Sequence, residues 1–189
     1  MPTKRYSTAA ITTKKYLIVA GGKSGDSSLN AVEVMEISTK TWSTVASLPY
    51  PYTEASATIC GNQIYLLGGF DGFREKKMVL ACSVTQLLRA SPTAWHRIAD
   101  TVTYCSTCTT VGGELVAIGG YDRQNKKVKH VYSYDSMKNS WSVVSNMPTP
   151  RYDCLVAVLS TNEMMVVGGR EHYAAGNKVE IATLNYIVN

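Results

Sequence analysis

Four times along this chain an apolar run ends in two glycines: YLIVAGG at residues 16–22, IYLLGG at 64–69, LVAIGG at 115–120 and MMVVGG at 164–169. The second glycines, at 22, 69, 120 and 169, are separated by 47, 51 and 49 residues. A repeat near fifty residues, made of short strands and glycine turns, predicts stacked β-units of the propeller type. Such a unit cannot bury its own apolar faces, so neighbouring units must cover one another.

Other residues keep step with the glycines. Trp42, Trp95 and Trp141 follow the first three pairs, and the fourth unit stops before a tryptophan. A related lead-in precedes each pair: MPTKRY at 1–6, LPYPYT at 48–53, ADTVTY at 99–104 and MPTPRY at 147–152. Each unit reads as four strands. The first starts at Ser7, with counterparts at Glu54, Cys105 and Asp153, and tight turns at Gly61-Asn62 and Gly112-Gly113 lead into the next. The apolar run is the second strand, covered on both faces. A polar loop leads to a third strand, VEVMEI or VYSYD, and a tryptophan strand closes the unit: TWSTV, AWHRI and SWSVV. Each tryptophan is expected to cover the edge of its unit and pack on the next.

The glycine pair followed by Lys23-Ser24 invites comparison with a phosphate loop. That loop needs a glycine at position 17, which is Leu, and a following helix that the pattern does not predict. A turn out of the strand explains the pair better. Cys105 and Cys108 form C-x-x-C, but residues three apart on a strand point to opposite faces, so metal binding is not expected. Five irregularly spaced cysteines argue against a disulfide framework and for a reducing interior, cytosol or nucleus, with the cytoplasm the expected compartment. The net charge of +5 is too mild and scattered for nucleic acid, and no apolar run approaches a membrane span. His96, His130 and His172 occupy inequivalent repeat positions, with His172 in a loop at the glycine end. Asp71 and Asp122 sit in GG-x-D turns, where Asp bonds the local backbone. No catalytic residue, metal site or cofactor is expected.

An apolar run, Gly-Gly, then an aromatic residue and a Trp seven residues later resembles the kelch repeat. Tyr134 with Trp141 fits the pair, Met35 with Trp42 fits it with Met for Tyr, and Cys82 takes the Tyr position ahead of Trp95 after about six extra residues. The resemblance covers essentially the whole chain and implies an all-β kelch propeller arc in one domain, 1–189. Its repeats run over about 1–47, 48–98, 99–146 and 147–189, three complete blades and a partial fourth.

In kelch-type substrate adaptors, the residue after each glycine pair and the end of each lead-in line a peptide pocket. Carried over, these are Lys23, Phe70, Tyr121 and Arg170, with Arg5-Tyr6, Tyr52-Thr53, Thr103-Tyr104 and Arg151-Tyr152. Arg and Tyr favour protein recognition, and the basic members favour an acidic peptide. The resemblance thus implies a non-catalytic interaction module, the substrate receptor of a cullin-type ubiquitin ligase. Actin binding and a carbohydrate-acting propeller enzyme are the other readings. Most kelch propellers have five to seven blades, so the expected arc is a fragment, a self-closed ring, or half of a homo-oligomer that completes the propeller.

Overall fold

The computed structural model describes residues 1–89, 94–170 and 176–184. The chain is all-β, four antiparallel sheets of propeller-blade type, and it forms two compact units, Met1–Ile98 and Ala99–Asn189.

In the first unit, blade 1 comprises β1 (Ala9–Thr12), β2 (Tyr16–Ala20), a small ribbon of β3 (Lys23–Ser24) and β4 (Ser27–Ser28), then β5 (Val32–Glu36) and β6 (Thr41–Thr44), with sheet order β1-β2-β5-β6. Blade 2 is β7 (Ser56–Cys60), β8 (Gln63–Leu67), β9 (Val79–Ser83) and β10 (Trp95–Ile98), paired in chain order. A one-turn helix, α1 (Val84–Leu88), falls between β9 and β10, in the segment where the sequence shows only extra residues. It forms there because the Val84 amide donates to Asn62 O at 3.0 Å while Leu87 drops fully into the core. That core joins Ile11, Ile18 and Val34 of blade 1 to Ile64, Leu66 and Cys82 of blade 2.

In the second unit, blade 3 is β11 (Thr107–Val111), β12 (Glu114–Ile118), β13 (His130–Asp135) and β14 (Ser140–Asn146). Blade 4 is β15 (Leu155–Val158), β16 (Glu163–Val167) and β17 (Val179–Thr183). Val116, Ile118 and Val131 of blade 3 pack with Met164, Val166 and Ala182 of blade 4. No described helix is long and apolar enough to cross a membrane.

The register supports the repeat alignment residue by residue. Met35 stands opposite Trp42, Cys82 opposite Trp95 and Tyr134 opposite Trp141. Two local expectations are corrected. The first strands begin at Ala9, Ser56, Thr107 and Leu155, two residues later than expected. Ser7, Glu54, Cys105 and Asp153, taken as strand starts, instead adopt left-handed backbone, with φ of 52°, 58°, 50° and 53°. Each turns the chain from the lead-in into its blade, and the Glu54 amide donates to Ser7 O at 3.0 Å in doing so. Cys105 of the C-x-x-C is therefore not on a strand, while Cys108 is buried in β11. Trp95 also faces the other way: its Nε1 donates backward to Ala46 O of the preceding blade, at 3.2 Å.

Candidate functional site

The glycine pairs bring the lead-ins to the ends of the second strands. At Gly119 (φ +65°) a Cβ would collide with the Arg151 carbonyl, and at Gly120 (φ +93°) with the Tyr104 carbonyl. The absence of side chains lets two neighbouring backbones meet there, and the Gly120 amide donates to Arg151 O at 2.9 Å. The residue after each pair then bridges to the last lead-in residue: Tyr6 with Lys23, Thr53 with Phe70, Tyr104 with Tyr121, and Tyr152 with Arg170. Eight of the twelve expected site residues are thus joined in four backbone pairs.

The other four lie a residue earlier in each lead-in, and the structure places them inside. The Arg5 side chain is 0% exposed; its Nη1 donates to Gly21 O and Ala31 O at 2.9 Å. Its Nη2 lies 3.2 Å from Glu33 Oε1, an ion pair whose alignment falls short of a hydrogen bond. Arg151 repeats this: Nη1 to Gly168 O at 2.8 Å, Nη2 2.9 Å from Glu180 Oε2, and 2% side-chain exposure. Thr3 and Thr149 add hydroxyl bonds to the same carboxylates. A partner cannot reach these guanidinium groups in this conformation, because they are already spent on buried carbonyls and a carboxylate.

The interior role has a sequence signature that inspection of the loops alone passes over. Glu33 pairs across the sheet with Val19 and Glu180 with Val166, each three residues before a second glycine. The equivalent residue is Leu80 in blade 2 and Tyr132 in blade 3. Where the acid is missing the arginine is missing too, replaced by buried Tyr52 and buried Thr103. Thr103 Oγ1 donates to Gly119 O at 2.8 Å, the carbonyl position that Arg5 and Arg151 serve elsewhere. Thr53 is likewise buried.

What remains accessible differs between the units. In the first, Tyr6 is exposed and its hydroxyl donates to Gly25 O, while Lys23 Nζ lies 5.8 Å from the centre of the Phe70 ring. In the second, three tyrosines form a continuous aromatic patch. Tyr104 stacks on Tyr121 with centroids 5.6 Å apart, and Tyr152 meets Tyr121 edge-on at 5.7 Å. Lys127 Nζ sits 5.9 Å over the Tyr152 ring, and Arg170, 58% exposed, makes a long 3.8 Å pair with Asp153. Lys127 was not among the expected residues. Its backbone bridge to Tyr121 is what draws it in.

The loops are held by their acids, as their GG-x-D turns suggest. Asp71 Oδ1 accepts from the Phe73 and Arg74 amides at 3.0 Å, and Asp122 Oδ1 from the Gln124 and Lys126 amides at 2.9 Å. The Lys76 ammonium and these amides hold the Asp71 carboxyl well below the usual carboxylate range. Burial, with the charge of Asp122, pushes the Tyr132 phenol up. His96 and His130 lie on β10 and β13, and His172 falls outside the described residues. Among the described residues no three His, Cys, Asp or Glu side chains are grouped to hold a metal.

Known proteins place this repeat. The KLHDC2/KLHL20/DRC7 Kelch-repeats domain profile matches residues 1–169. Kelch-like protein 35 of Mus musculus is 22% identical over 173 residues, 89% of this chain and 28% of that protein. Alpha-scruin of Limulus polyphemus is 28% identical over 131 residues, 68% of this chain and 14% of its own length. Kelch repeat protein C2 of Vaccinia virus (strain Western Reserve) is 22% identical over 160 residues, covering 82% of this chain and 30% of the viral protein. The chain thus spans less than a third of the length of these relatives. With its four glycine-pair blades matched along nearly their whole extent, the chain belongs to the kelch-repeat family.

Proposed function

We propose that this chain is a non-catalytic protein-recognition module that takes an acidic peptide at the glycine end of its blades. One observation carries the reading: Tyr121 lies between a stacked Tyr104 and an edge-on Tyr152, with Lys127 and Arg170 beside them. Aromatic side chains supply large, rigid contact area, and the half-buried Lys127 and exposed Arg170 beside them favour carboxylates. Tyr6, Lys23 and Phe70 offer the same chemistry in the first unit. Kelch domains bind protein partners, and membership of the family supports that coarser role. The finer role we propose is delivery of an acidic-peptide substrate to a cullin-type ubiquitin ligase in the cytoplasm.

The test is binding of labelled Glu-rich peptides carrying one aromatic residue, followed by fluorescence anisotropy. Tyr121→Ala and Arg170→Ala should each weaken binding about tenfold, the loss of roughly 1.4 kcal/mol. Equal affinity in wild type and both variants would overturn the reading. Co-sedimentation with actin filaments, unaffected by these variants, would move the function to a scaffold. Cullin recruitment is tested on the full-length native polypeptide by co-purification.

A further inference from the structure

We propose that the open face of blade 4 binds the first blade of a second copy of this chain. The proposal is independent of the peptide reading, since it concerns the flat faces of the blades and not their loop ends.

Within each unit, the earlier blade presents one face to the later blade, built from alternate strand residues. In blade 1 that face is Ala9, Ile11, Ile18, Ala20, Val32 and Val34, none more than 8% exposed. In blade 3, Val116, Ile118 and Val131 of the same face are all 0% exposed. Register assigns the equivalent face of blade 4 to Leu155, Ala157, Met165, Val167, Val179 and Ile181. Here Leu155 is 73%, Val179 58% and Ile181 57% exposed. The apolar face that is sealed in blades 1 and 3 is open in blade 4. An open apolar face of this kind marks an interaction surface.

What seals such a face is visible in the chain itself. It takes the opposite face of the following blade: blade 2 covers blade 1 with Ile64, Leu66 and Cys82, and blade 4 covers blade 3 with Met164, Val166 and Ala182. In blade 2 the outer-strand tryptophan adds to the seal, Trp95 Nε1 reaching back to Ala46 O at 3.2 Å. Trp42, the equivalent residue of blade 1, makes no such bond among the described residues. It lies in line with Met35, Leu17 and Thr12 across the sheet, Thr12 exposed and the others half-buried. The acid on this face, Glu33, is already buried with Arg5, so docking need not desolvate a free charge. Blade 1 therefore carries the surface that the blade 1–blade 2 contact shows blade 4 to be shaped for. The contact is head-to-tail, between two different patches.

The experiment is analytical ultracentrifugation of the whole chain over a dilution series. The wild type should associate reversibly above its 20.6 kDa monomer. Ile181→Lys on blade 4 and Thr12→Lys on blade 1 should each return it to monomer with an unchanged melting temperature. Mixing the two variants should restore a dimer, because each retains one intact half of the contact. Should Ile181→Lys lower the melting temperature, Leu155→Lys carries the same test. A wild type that stays monomeric at every concentration, or association that survives both variants, would overturn the proposal. So would association lost in Ile181→Lys but kept in Thr12→Lys, which would mean that two fourth blades meet. Tyr121→Ala should leave the mass unchanged, so failure of the peptide reading and failure of this one are read separately.

Discussion

A guanidinium 2% exposed and 2.9 Å from a carboxylate holds the fold together, whatever its likeness to a binding arginine in sequence. Removing it strands Glu180 inside the blade, and an uncompensated buried charge is costly. Arg151→Ala is expected to destabilise the chain by about 3 kcal/mol, measured by urea unfolding. Replacing both partners with Met should cost less, since blade 2 already pairs Tyr52 with Leu80 at the equivalent places. The cysteines separate on the same physical ground. Burial pushes the Cys82 thiol up to about 11 and raises that of Cys154, so little thiolate, the reactive form, exists near neutrality. Labelling of the native chain by maleimide at pH 8 should modify half-buried Cys60 and Cys105 and spare Cys82 and Cys154. Equal labelling of all five cysteines would show that the blade interiors open readily.

At the level of the element, two kinds of glycine that look alike in sequence separate. Gly61, in the β7–β8 hairpin, has φ +58° and open space around its missing side chain. Gly119 has φ +65° and the Arg151 carbonyl where a Cβ would go. Gly61→Ala therefore carries only the left-handed backbone cost, about 1 kcal/mol. Gly119→Ala adds a backbone clash that cannot rotate away, and a loss of about 3 kcal/mol or more is expected. Thermal melts of the two variants decide it, and equal losses would remove the case for close approach at the pair. The α1 insertion is the element that the strand pattern could not show. VTQLL has no distinctive helical period over five residues, and it is the tertiary site for Leu87 that fixes it.

For the molecule as a whole, two kinds of surface should answer salt in opposite directions. The net charge is +5, and the aromatic patch of the second unit is bordered by Lys127 and Arg170. Raising ionic strength from about 0.05 M to about 0.5 M shortens electrostatic range severalfold, and acidic-peptide affinity should fall accordingly. Self-association through the apolar face of blade 4 should hold or strengthen, most clearly with sulfate as the anion. Running both measurements on one preparation distinguishes the loop ends from the blade faces.

Much of this architecture was legible in the sequence, because the repeat prints each constraint several times. The glycine pairs, the lead-ins and the Tyr134–Trp141 spacing set strand number, order and register, and the paired residues stand opposite each other as the spacing requires. The end of the blade at which the loop residues lie was legible too, since position after a glycine pair fixes it. Depth was not. Arg5 and Tyr6 are neighbours in one lead-in, yet one side chain is 0% exposed and the other residue 56%. Alternation along extended backbone sends adjacent side chains to opposite sides, and only the packed blade supplies the Glu33 carboxylate and glycine-end carbonyl that draw Arg5 inward. Likewise, the apolar pattern of β15 to β17 is that of a covered face, and only the tertiary structure shows that no described blade of this chain covers it.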